Sequence, residues 1–88
     1  AERAGRTADP TIAALRRRGE ELRQAEWDRV AARLEGLSER DRATVEAMTR
    51  SLLAKLLHQP TVALKGAAGS AQGSRLTQAV AELFDLEP

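Results

Sequence analysis

His58 is the only histidine in this chain of 88 residues, and there is no Cys or Tyr beside it. Proton transfer or metal binding would therefore start from His58, and each needs partners at workable spacing. A metal held on a helix needs further ligands three or four residues away, and those positions around His58 carry Lys55, Thr61, Ala54 and Val62. A Ser–His–Asp arrangement needs a strained turn and an oxyanion hole; the serines here belong to helical, polar stretches. His58 precedes Pro60 and is expected in the last turn of a helix, where an imidazole favours the negative end of the dipole. The segment Gly66-Ala67-Ala68-Gly69-Ser70-Ala71-Gln72-Gly73 is rich in Gly but lacks the Gly-Lys-Ser/Thr ending of a phosphate loop, and no strand precedes it. Arg16-Arg17-Arg18 could grip a phosphate backbone, yet Glu20 and Glu21 follow at the spacing that pairs charges along a helix. With one Trp and one Phe there is no stacking platform for bases. Catalytic, cofactor-binding and metal-ligating residues are all expected to be absent.

The chemistry left is packing. Lys and Arg number 14 against 13 Asp and Glu, so no general attraction to nucleic acid or anionic lipid arises. No apolar run approaches a membrane span and no signal peptide opens the chain. The hydrophobic fraction is 42%, but Ala dominates it. A core built from so few large side chains gains much from an outside partner.

The elements that must carry this packing are helices. Residues 1–8 read as a tail or the end of a truncated preceding element, and residues 9–88 as one helical domain. Asp9-Pro10 has the form of a helix start, and Ile12, Leu15, Leu22, Trp27, Val30 and Leu34 recur at helical spacing up to Gly36. This helix is too long for the rest of the chain to cover. Gly19, Arg23 and Glu26 also fall within its apolar sector, where an intersubunit seam tolerates charge better than a monomer core does. Ser38 caps a second helix with Glu39 and Asp41 in its first turn. Val45, Met48, Leu52 and Leu56 form a stripe that Leu53 and Leu57 widen, broad enough for more than one neighbour. Pro60 is expected to stop or kink this helix, with another turn or two over residues 61–65. Residues 66–74 read as a flexible loop, followed by a short helix carrying Leu76, Val80, Leu83 and Phe84. Nothing alternates with period two: the class is all-α.

Pro10-Thr11-Ile12-Ala13-Ala14-Leu15-Arg16, Glu26 and the run from Val45 through Lys55-Leu56-Leu57-His58-Gln59-Pro60-Thr61 together resemble the C-terminal region of glutamyl-tRNA reductases, as does Leu83-Phe84-Asp85-Leu86 near the end. The resemblance covers residues 9 to 87. It implies the dimerisation domain of a three-domain cytoplasmic enzyme that reduces glutamyl-tRNA with NADPH to glutamate-1-semialdehyde, for tetrapyrrole (porphyrin) biosynthesis. The nucleophilic Cys and the NADPH-binding domain would lie elsewhere in the parent enzyme, so the implied partners are a second copy of the chain and those other domains, and glutamyl-tRNA only through the parent. The expected architecture is a helical bundle shared across a homodimer. Its interface and shared core are assigned to Ile12, Leu15, Leu22, Glu26, Trp27, Val30, Val45, Met48, Leu52 and Leu56. A helical adaptor that accepts a foreign helix, and a helical RNA-contact module, are the alternatives.

Overall fold

The computed structural model describes the backbone of residues 2–86 and the side chains of residues 8–86. Helix α1 spans Glu2–Val30 and runs into a 3-10 turn at Ala31–Leu34; α2 spans Glu39–Gly66 and α3 spans Ala71–Leu83. All regular structure among the described residues is helical. The backbone of residues 2–8 continues α1 rather than forming a tail, so Asp9-Pro10 is not the helix start and Pro10 lies inside α1.

Ser38 begins α2 as expected: the Asp41 amide donates to Ser38 Oγ at 3.1 Å, supplying one of the acceptors a helix start lacks. Pro60 does not end the helix. Proline removes one backbone donor, which leaves the preceding turn short of a bond, and at this level Thr61 Oγ1 donates to the Leu57 carbonyl at 2.7 Å. Packing on both sides of the proline, at buried Leu57 and Leu64, holds the axis continuous. His58 therefore sits inside α2, well before its end, and not in a last turn.

The Gly-rich stretch is shorter as a loop than its composition suggests. The turn spans residues 67–70, with Gly69 at φ 84, and Ser70 then caps α3 by accepting from the Gly73 amide at 2.9 Å. Residues 71–74 thus belong to α3. The last helix ends with Asp85 in the left-handed region, φ 54, and the Leu86 amide donates back to Ala81 O at 2.9 Å. This closure turns Leu86 toward Pro10, Ala14 and Ala81 along the edge of α1.

Contacts between α1 and α2 fix their relative direction. Arg23 reaches Thr49, Gly19 lies against Leu53 and Leu57, and Ala8 and Ile12 share a cluster with Leu64. Position falls along α1 as it rises along α2, so the two form an antiparallel hairpin. Helix α3 closes one end of it by packing Leu76 and Val80, with Ala68, onto that cluster. The result is a rod of 51 × 20 × 16 Å with a radius of gyration of 16.2 Å; a compact chain of this length would have about 12 Å.

Gly73 is where α3 meets the preceding turn most closely. A Cβ built there would lie 2.0 Å from the Ala67 carbonyl oxygen, whereas at Gly36 it would meet nothing within 4 Å. Gly73→Ala is expected to lower unfolding free energy by at least about 2 kcal/mol, in the range of overpacked sites. Gly36→Ala should stay within about 0.5 kcal/mol of the parent. Urea unfolding at one fixed protein concentration compares the two; equal effects would contradict the close approach.

Candidate functional site

Two apolar lines run along α2, and only one of them faces the rest of the chain. Leu57, Thr61 and Leu64 are buried, and Leu53 packs beside them against Gly19. The other line is Val45, half-buried, then Met48, Leu52 and Leu56, exposed at 61%, 66% and 69%. At 100° per residue these four side chains fall within about 80° of one another. They make a single uncovered face in the N-terminal half of α2.

The adjoining edge of α1 adds Leu22, 53% exposed. A shallow cleft lined by Arg16 and Glu20 from α1 and by Ala54 and His58 from α2 marks one edge of the hairpin. On each helix, the line of inward residues lies between the cleft residues and the exposed leucines. Leu22 and the α2 stripe therefore occupy the same edge, opposite the cleft. Helix α3, with 13 residues against the 28 of α2, extends over less than half of this hairpin.

The residues assigned from sequence to an interface and shared core thus divide. Ile12 and Leu15 are buried within the chain. Trp27, Val30 and Val45 are half-buried, and Glu26 is exposed and bonded to Arg29. Leu22, Met48, Leu52 and Leu56, expected to supply helix-to-helix packing, contribute little of it inside the chain. Leu53, Leu57 and Leu64 take that part, because Gly19 lets α2 approach α1 most closely along their line.

Charge is handled differently from the simple spacing rule. Glu20 does not bond Arg16; it receives Arg23 Nε at 2.9 and 3.0 Å. Arg23 is 8% exposed and extends over the hairpin to donate to Thr49 Oγ1 at 3.3 Å, while Thr49 donates to the Glu46 carbonyl at 2.7 Å. This polar clamp joins the middles of α1 and α2. Its hydrogen bond from Arg23 holds the Glu20 carboxyl below its ordinary range, with desolvation opposing. The same bond raises Arg23. Among the described residues no group of three His, Cys, Asp or Glu could hold a metal ion. No described helix is long and apolar enough to cross a membrane.

What remains is a surface without catalytic groups and with an apolar face turned outward. Over residues 1–86 the chain matches the family model described as glutamyl-tRNAGlu reductase, dimerisation domain. The chain belongs to that family. A glutamyl-tRNA reductase of Chloroflexus aggregans is 46% identical over 78 residues, covering 89% of this chain and 17% of that protein. One of Myxococcus xanthus is 43% identical over 86 residues, 97% of this chain and 20% of that protein. One of Thermobifida fusca is 39% identical over the whole chain and 18% of its own length. The chain spans no more than about a fifth of these relatives, so it corresponds to one domain of a longer reductase. No solved structure matches it.

The depressed Glu20 carboxyl gives this dimerisation domain a pH signature. A carboxyl lowered by folding stabilises the native state above its unfolded value, and that contribution fades as pH falls through the folded value. The thermal midpoint of the parent should exceed that of Glu20→Gln at pH 7, with the difference shrinking once pH drops below the ordinary value of 4.5. Melting curves from pH 7 to pH 3 measure this. A difference independent of pH would contradict the Arg23–Glu20 clamp.

Proposed function

We propose that this chain joins two copies of a glutamyl-tRNA reductase by burying the Val45–Met48–Leu52–Leu56 face, with Leu22 beside it, against the same face of a second copy. The parent enzyme, on this reading, acts in the cytoplasm and reduces glutamyl-tRNA with NADPH to glutamate-1-semialdehyde for tetrapyrrole synthesis. The dimerisation domain itself is architectural. Nucleophile, cofactor and tRNA acceptor end are handled by the other domains, which it holds in a fixed relation to those of the partner.

The observation that carries this reading is the run of large exposed apolar side chains on α2, in a family whose description is dimerisation. Water contact along such a face is costly, at about 25 cal/mol for each Å² of apolar surface left uncovered. The total accessible surface supports it. A self-contained monomer of 9.5 kDa exposes about 5,000 Å²; this protomer exposes 6706 Å². Met48, Leu52 and Leu56 take little part in the protomer's own core, so the hairpin can fold first and associate second. Leu22 on the flank and the half-buried Trp27 and Val30 at the far end of α1 extend the seam along the hairpin.

Leu52→Asp tests this directly. A carboxylate placed at the centre of the buried seam would have no partner, a cost of several kcal/mol. In the protomer the same position is solvent-facing, so helical circular dichroism should persist. The expected outcome is a folded monomer by sedimentation at a concentration where the parent is a dimer. A Leu52→Asp chain that remains dimeric with unchanged affinity would place the seam elsewhere.

A further inference from the structure

The exposed line on α2 carries more than apolar side chains. Asp41, Val45, Met48, Leu52 and Lys55 follow one another at spacings of four, three, four and three, which is the rhythm of a coiled-coil seam. The three central side chains are apolar, and both charged ends are exposed. Around Met48 the line has a simple symmetry: Asp41 and Lys55 lie seven residues on either side, and Val45 and Leu52 three and four.

Reversing such a line brings opposite charges together. A second α2 running antiparallel about a two-fold axis at Met48 sets Met48 beside the partner's Met48 and Val45 beside the partner's Leu52. Asp41 then meets the partner's Lys55, and the symmetric pair forms at the other end. A parallel pairing in register would instead set Asp41 against the partner's Asp41 and Lys55 against the partner's Lys55, and like charges facing each other destabilise an interface. The run of apolar residues follows the helix axis, so a partner aligned with the axis covers it and one crossing at a single point does not. Leu56, next to this line, shields its margin.

We infer that the two subunits meet through an antiparallel pair of α2 helices centred on Met48, with reciprocal Asp41–Lys55 ion pairs at its two ends setting direction and register. This rests on the reading that the α2 face is the self-association face, and adds how two copies of that face engage. The hydrophobic centre holds the pair together, while the end charges choose among possible alignments, the role that flanking charges play in coiled coils.

Charge reversal and single cysteines test the arrangement in the 88-residue chain, which has no cysteine of its own. Asp41→Lys and Lys55→Asp, each alone, should weaken the dimer about tenfold in sedimentation equilibrium, because two attractive pairs become repulsive. The double reversal should return to within about threefold of the parent. Under mild oxidation Met48→Cys should form a disulfide-linked dimer, since its two copies face each other at the axis. Lys55→Cys should not, because its copies stand about 21 Å apart along the seam, beyond the roughly 7 Å between Cα atoms that a disulfide spans. A dimeric parent whose Lys55→Cys form cross-links as readily as Met48→Cys overturns the antiparallel pairing, as does a double reversal that is no better than the singles. A dimeric parent whose Met48→Cys form stays uncross-linked overturns the axis at Met48. A parent that is monomeric throughout overturns the self-association reading itself.

Discussion

Helix α2 has apolar side chains around nearly half its circumference, and α1 can cover only one side of that arc. The choice is made at Gly19, where the missing side chain lets α2 settle on the line of Leu53 and Leu57. Once that line is turned inward, Met48, Leu52 and Leu56 must point out. Helix α3 cannot reach them, because its packing is confined to the end marked by Ala8, Ile12 and Leu64. The extended shape, the excess of exposed surface and the open face all follow from this one imbalance between a long amphipathic helix and too few neighbours within the chain.

The same imbalance separates folding from association. The closed end of the hairpin is held by aliphatic packing and by the Ser70 cap, and its middle by the Arg23 clamp onto Glu20 and Thr49. None of these uses the outward face. A buried arginine with its hydrogen bonds made is tolerable because both carboxylate oxygens of Glu20 accept from it. The clamp also occupies the polar groups nearest the middle of the hairpin, so the face next to it can stay apolar. Such a division suits a domain that must fold as part of a longer reductase chain before it meets a second one.

Much of this was legible in the residues. Helical class, the Ser38 cap, the short last helix and a stripe on α2 too broad for one neighbour all follow from spacing and residue type. Prolines misled: Pro10 looks like a start and Pro60 like a stop, but each lies inside a helix. Local preference gives way where packing on both sides of a proline holds the axis. The glycine-rich stretch misled for a related reason. Gly73 serves a close approach to Ala67 O in the first turn of α3, and composition alone cannot distinguish that from flexibility. Two adjacent leucine lines on α2 were equally apolar, so sequence could not say which would be buried. The pairing of Glu20 was hidden likewise, because both Arg16 and Arg23 stand at helical spacing and only the approach of Thr49 favours Arg23.

Everything said about function depends on the outward α2 face being covered by a second copy of the chain. Sedimentation equilibrium of the unmodified chain, over a hundredfold range of concentration reaching down to low micromolar, measures that most directly. The account predicts twice the protomer mass across the range. A folded chain that keeps the protomer mass throughout would contradict it, and the uncovered leucines would then belong to a different partner.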